Sequence, residues 1–193
     1  EVNAKGIELV PQFDKAGNHK TDKNGNPKHT KIDHPKIYQA QLDAAQDKRE
    51  KVLAWMDAYM DYGMVLDIPA WVCRSPAGIK ATNIGTYAEA VAATKYNNEY
   101  FIKHRTGACK FLNVLQGENH PDAESWYQEM KDFCDPKVYG DKAFNGWAMG
   151  GQNMCDVHLV LKRLVTLRFD GLLEQGQQDW MHFLGTSKLE WAV

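Results

Sequence analysis

No apolar run in the 193 residues approaches the roughly 18 needed to cross a bilayer, so the sequence offers no membrane-spanning helix. An excess of either charge is also lacking. Twenty-three Lys and Arg stand against 25 Asp and Glu, a formal net charge of −2, which excludes a strongly basic protein that coats nucleic acid. No C-x-x-C pair occurs. Cys73, Cys109, Cys134 and Cys155 are 36, 25 and 21 residues apart, so zinc spacing is absent and four reduced thiols in a cytosolic protein are expected. No two of the seven histidines stand at i, i+4, so no metal site is expected within the chain. No Gly-x-Gly-x-x-Gly follows an apolar run, which removes support for a dinucleotide-binding sheet. A leading Met and a basic-then-apolar start are missing too, so no signal peptide is predicted. Glu1 to Val10 reads as a strand entered midway, and the chain is therefore expected to be a piece of a longer polypeptide.

What is present is ordinary in bulk: 44% hydrophobic and 25% charged residues. A chain of this size can bury roughly 70% of its unfolded surface, enough for a real core. A single domain over 1–193 is expected, with residues 14–36 as a basic hairpin or loop insertion. That segment carries Lys15, Lys20, Lys23, Lys28, Lys31 and Lys36, with Asn24-Gly25 and Asn26-Pro27 as turn signals. It reads either as a solvated hairpin loop or as a phosphate-contacting one in which Lys20, Lys23, Lys28 and Lys31 touch a nucleic-acid backbone.

The rest alternates. Residues 6–13 suggest a short strand. Pro35 opens a helical pattern that Gly63 ends, and Met64-Val65-Leu66-Asp67 is a short apolar run closed by an acid. Residues 68–85 read as a loop, and Thr86 with Glu89 as a capping box opening a helix to about Phe101. Strands are predicted at 111–115, 144–149 and 180–184. Helices are predicted from Pro121 to Phe133, over 155–169, and again after Ser187 with Glu190. Apolar strands alternating with helices imply parallel strands covered by helices. The expected class is α/β, a (β/α) TIM-like barrel of which this chain carries about four consecutive units.

A barrel places function at the C-terminal ends of its strands. Those ends carry Asp67, Gln116-Gly117, Gly150-Gly151 and Gly185. A carboxylate accepts two hydrogen bonds, an amide donates and accepts, and Gly-Gly bares a backbone N–H. A guanine edge, with two adjacent donors beside a carbonyl, is complementary to that set. Each part alone is also an ordinary strand cap, turn or relief of crowding. Their recurrence at successive strand ends is the signal.

Four segments then resemble queuine/guanine tRNA-ribosyltransferases. Tyr62-Gly63-Met64-Val65-Leu66-Asp67 resembles the strand ending in the base-recognising aspartate. Asn113-Val114-Leu115-Gln116-Gly117 resembles the strand ending in Gln-Gly. Phe144-Asn145-Gly146-Trp147-Ala148-Met149-Gly150-Gly151 resembles their Phe-Asp-Gly-(aromatic)-Ala-(apolar)-Gly-Gly, and His182-Phe183-Leu184-Gly185 their His-Tyr-Leu-Met-Gly. The resemblance implies exchange of a guanine for a 7-deazaguanine base. Asp67 would grip the base's donors, Gln116 and the Gly151 backbone its carbonyl side, and Leu184 would pack near its face. Gly117, Gly150, Gln152 and Gly185 complete the expected base-binding set.

Departures surround this set. Gln152-Asn153-Met154-Cys155-Asp156 stands where the family usually has Leu-Ala-Val-Gly-Glu. Ile68-Pro69-Ala70-Trp71 replaces the Glu-Cys that follows the aspartate of the tRNA enzymes. The resemblance therefore points to the branch that modifies DNA, found in phages and bacterial modification islands, with tRNA as the other substrate. It implies a cytoplasmic enzyme, host cytoplasm if phage-encoded, with no membrane contact. The nucleophilic aspartate, its catalytic companion and the zinc cysteines are expected outside this chain. Asp170 and Asp179 sit wrongly for a nucleophile. No cofactor is expected in the chain, and a structural zinc only in the full-length protein. A homodimer, a non-catalytic base-binding partner subunit and an unrelated barrel enzyme remain the other readings.

Overall fold

The computed structural model describes residues 7–151, 156–178 and 180–185. The chain forms two compact units, Glu1–Asp47 and Lys48–Val193.

In the first unit, β1 (Ile7–Pro11) and β2 (His29–Asp33) pair antiparallel, with Val10 opposite Thr30. Helix α1 (His34–Tyr59) starts directly after β2. The segment between the strands is ordered into two tight turns of the same design. Asp14 Oδ1 accepts from the backbone N–H of Ala16 and Asn18 at 2.8 and 2.9 Å, and Asp22 Oδ1 from Asn24 and Asn26 at 2.8 and 3.0 Å. An aspartate that holds its own turn in this way is a local substitute for a longer hairpin.

In the second unit, four strands form one parallel sheet in chain order: β3 (Tyr62–Met64), β4 (Lys110–Leu115), β5 (Gly146–Met149) and β6 (Trp180–Phe183). Helices cross between them. They are α2 (Pro76–Thr82) and α3 (Tyr87–His104) after β3, α4 (His120–Met130) and α5 (Pro136–Tyr139) after β4, and α6 (Val157–Phe169) after β5. This is the expected βα alternation. It makes a parallel half-barrel sheet of four strands, and no closed barrel is formed by the described residues.

Local chemistry explains the helix starts. Thr86 Oγ1 accepts from Glu89 N at 3.2 Å while Glu89 Oε2 accepts from Thr86 N at 3.0 Å, the reciprocal box read from the sequence. Asn119 and Asp156 cap α4 and α6 through their side chains. The helix expected after Ser187 lies outside the described residues.

The core sits between sheet and helices. Phe101, Phe111, Phe133, Phe144, Trp126 and Trp147 are all essentially buried. Each large side chain moved from water contributes roughly 1.5–3 kcal/mol. Both buried indoles find acceptors, Trp126 Nε1 at the Val114 carbonyl (2.9 Å) and Trp147 Nε1 at the Leu172 carbonyl (2.6 Å).

The opposite face of the sheet is strongly concave. Tyr62 on the first strand and Trp180 on the fourth bring their rings to 4.3 Å between centroids. Three strand spacings in a flat sheet would hold them roughly 14 Å apart. Gly146 permits the bend. A Cβ there would overlap the Trp180 carbonyl and lie 2.9 Å from Leu112 Cδ2. The inward positions of β5 are thus Gly146 and Ala148, the smallest residues available.

Candidate base-binding site at the strand ends

Strand β3 stops at Met64, three residues before Asp67, earlier than the apolar run suggests. The next residue still joins the ladder, with Val65 N donating to the Leu112 carbonyl at 3.1 Å. Beyond it, helix α3 takes over the backbone. Asn97 Nδ2 donates to the Leu66 carbonyl at 2.8 Å, and Ile68 N donates to Thr94 Oγ1 at 2.9 Å. Asp67 is therefore held on both sides by side chains of one helix. Asn97 is itself fixed by Arg49 Nε, which donates to its Oδ1 at 2.5 Å.

The half-buried Asp67 meets Gln116 at the end of β4, where Gln116 Nε2 donates to Asp67 Oδ2 at 2.7 Å. Gln116 is only 5% exposed. Burial pushes the Asp67 carboxyl above the ordinary carboxylate range, and the Gln116 hydrogen bond pulls part of the way back. Next to this pair runs the end of β5. Gly150 N donates to the Leu115 carbonyl at 2.9 Å. A Cβ on Gly150 would lie 2.8 Å from Gln116 Nε2 and 3.2 Å from Leu184 Cδ1. A Cβ on Gly151, whose φ is +60°, would lie 2.8 Å from Gln116 Oε1 and 2.9 Å from the Gly117 carbonyl. A Cβ at either glycine would thus collide with the Gln116 amide, so the amide packs directly against the glycine backbone. Leu184 N donates to the Met149 carbonyl at 3.0 Å and carries the half-buried leucine to the same corner.

The structure thus brings Asp67, Gln116, Gly117, Gly150, Gly151 and Leu184 together at the C-terminal end of one sheet. Gly185 follows on an exposed turn. Gln152 lies outside the described residues. Lys20, Lys23, Lys28 and Lys31 are all exposed in the first unit.

A rim that sequence reading missed borders the site. His120 Nε2 and Asp156 Oδ2 are 3.0 Å apart, joining the connections that leave Gln116-Gly117 and Gly150-Gly151. The His120 contact and the α6 backbone N–H groups hold the Asp156 carboxyl below its usual range. Arg74 bridges Glu118 and Asp122, and Tyr87 Oη donates to the Asp122 carbonyl at 2.5 Å. No local pattern announces these long-range pairs. Asn97 and Asn98 did leave a trace, since two adjacent asparagines are poor choices in the middle of a helix unless their amides have work to do.

Two cavities, of about 440 and 300 Å³, lie elsewhere in the second unit. The larger is lined by Leu53, Asp57, Tyr100 and His104, the smaller by Phe144, Asn145, Asp141 and Gln178. Neither is lined by a residue of the strand-end cluster. Among the described residues no group of three or more His, Cys, Asp or Glu is placed to hold a metal, and no helix is long and apolar enough to cross a membrane. Cys73, Cys109 and Cys134 are free thiols, and burial pushes Cys109 up to about 11.

Comparison with models of protein families, with curated proteins and with solved structures yields no match to this chain.

Proposed function

We propose that the C-terminal end of the four-stranded sheet recognises a guanine-type base, as the base-binding part of a transglycosylase that replaces guanine in DNA or tRNA with a 7-deazaguanine. The observation that carries this reading is the 2.7 Å Asp67–Gln116 pair packed against the side-chain-free turn of Gly150 and Gly151. A half-buried carboxylate with a raised proton affinity favours any ligand that offers it N–H donors. Guanine offers two side by side. In the free site the Gln116 amide occupies the acceptor that a guanine N–H would use. On binding, that amide turns to the base carbonyl, and the two glycines leave room for the ring to lie along the chain. Leu184 supplies apolar surface beside it.

These residues bind and orient a base. The attacking carboxylate that the family resemblance implies is not among them. The resemblance of Phe144–Gly151 to the family octet supports the reading independently of the geometry.

Equilibrium dialysis with radiolabelled guanine tests it, on the wild type and on Asp67→Asn. The variant places an amide N–H opposite a ligand N–H, and its affinity should fall at least tenfold, about 1.4 kcal/mol or more. Binding that weakens as pH falls and Asp67 takes up a proton is the matching signature. Equal affinity in the two proteins would reduce Asp67 to a strand cap. Exchange is read with the full-length protein: guanine bound but never exchanged into DNA or tRNA there would assign the chain to a base-binding partner subunit instead.

A further inference from the structure

The first unit is built on an eight-residue repeat. Asp14-Lys15-Ala16-Gly17-Asn18 is followed eight residues later by Asp22-Lys23-Asn24-Gly25-Asn26. The two copies are congruent. In each, the aspartate N–H donates to the asparagine carbonyl, at 2.9 and 2.8 Å. In each, the glycine N–H returns to the aspartate carbonyl at 3.1 Å, and the glycine takes a φ of +85° or +84°. In each, the asparagine amide approaches the second aspartate oxygen, at 3.5 and 3.4 Å.

The period also closes a ring. Lys20 N donates to the Gln12 carbonyl, Lys28 N to the Lys20 carbonyl and Gln12 N to the Lys28 carbonyl, at 2.8, 2.7 and 2.9 Å. Residues 12, 20 and 28 are one period apart. From this ring three arms leave: the β1–β2 pair, the turn at 13–19 and the turn at 21–27, the last two marked by the bridges Phe13–His19 and Thr21–Pro27.

The repeat sorts the charges. Both aspartates are committed to their turns, and backbone N–H groups hold both carboxyls below their ordinary value. Lys15 and Lys23 occupy the same place at two arm tips. Lys20 and Lys28 occupy the same place on the ring. All four, with Lys31, are exposed, and none is held in an ion pair among the described residues. Residues 14–31 thus carry five lysines against two aspartates in a chain whose net charge is −2.

We infer that this three-armed repeat is a nucleic-acid backbone clamp, with Lys15 and Lys23 as paired tip contacts and Lys20 and Lys28 as paired ring contacts to successive phosphates. Repetition is what distinguishes it from a merely solvated loop. A backbone has a phosphate at every step, and a rigid module that presents one cation twice in the same setting matches such a ligand. The inference rests on the nucleic-acid reading above for the kind of polymer.

Fluorescence anisotropy of the full chain with a labelled 20-base-pair duplex and, in parallel, a labelled tRNA tests it between 20 and 200 mM salt. Four to five phosphate contacts predict a log–log salt slope on the duplex of roughly −3.5 to −4.5. Lys15→Gln/Lys23→Gln should flatten it by about 2, and Lys20→Gln/Lys28→Gln likewise. Lys80→Gln/Lys103→Gln, an equal change of charge in the second unit, should leave it unmoved. No binding to either polymer at 20 mM salt overturns the clamp. So does an equal loss in the control pair, which would mean diffuse attraction. Guanine binding by dialysis is read separately from polymer binding by anisotropy, so a failed base site and a failed clamp give different results.

Discussion

Asn113 offers the sharpest test of how the strand-end site is anchored. It lies on β4 three residues before Gln116, is completely buried, and points toward the helices. Its Oδ1 accepts from Asn98 Nδ2 at 3.0 Å, and its Nδ2 donates to the Met130 carbonyl at 2.7 Å. That carbonyl belongs to the last turn of α4, where the helix supplies no partner of its own. One side chain therefore ties the strand to two helices. Asn113→Ala leaves a buried amide N–H and a buried carbonyl unpaired, each at a cost of about 1–3 kcal/mol. Asn98 keeps a 3.4 Å contact to Met130 Sδ, which softens the first loss. A destabilisation of about 2–4 kcal/mol follows. Asn98→Ala should cost less, since its own Oδ1 has no partner to lose. In the double variant the amide left stranded by Asn113→Ala is gone, so the two costs should fall short of additive by at least about 0.5 kcal/mol. Urea unfolding followed by far-ultraviolet circular dichroism measures all four proteins. An Asn113→Ala midpoint within about 0.5 kcal/mol of wild type, or strict additivity, would refute the network as an anchor.

Two other outcomes are expected. Asp67 has a raised native proton affinity, so its ionisation costs stability. That cost is absent below the ordinary carboxylate range and grows as pH rises through the native value. Asp67→Asn should therefore raise the melting temperature at pH 7–8 and leave it unchanged near pH 3, in a thermal-shift series; a lower value at pH 8 would contradict the burial argument. Gly146→Val forces atoms into the Trp180 carbonyl and Leu112, and should cost about 1–3 kcal/mol or more while releasing hydrogen-exchange protection of Trp180–Phe183. Wild-type protection of that strand would show that the bend does not depend on the missing Cβ.

Much of the second unit is legible in the sequence because its signals are local. Apolar runs closed by polar or glycine residues mark β4, β5 and β6, and the Thr86–Glu89 box sits where its spacing places it. The Asp67–Gln116–Gly150–Gly151–Leu184 cluster follows once those strands lie side by side. What escaped depends on distant partners. The apolar run 64–67 reads as strand throughout, yet Leu66 is claimed by Asn97, 31 residues on, and the ladder is left behind there. Helix α2 has only seven residues, too few to show a period, and vanished into the expected loop at 68–85. Residues 14–36 read as a loop because composition, with its lysines, asparagines and glycines, hides order. The eight-residue repeat was visible there, and repetition rather than polarity was the informative property.

The concave sheet also sets a timetable. Every pairing in it joins positions far apart in the chain: 62 to 110, 112 to 146 and 146 to 180. Closure of large loops must precede each reward, so the sheet assembles slowly compared with helices α3, α4 and α6, which need only their own caps and neighbours to begin. The Tyr62–Trp180 contact spans 118 residues, from 62 to 180, and cannot form until all three pairings exist. Until then the apolar edge of β4, Phe111 to Leu115, stands open to any other strand. The Tyr62–Trp180 ring contact thus marks the final step, and crowding during synthesis acts on the interval before it.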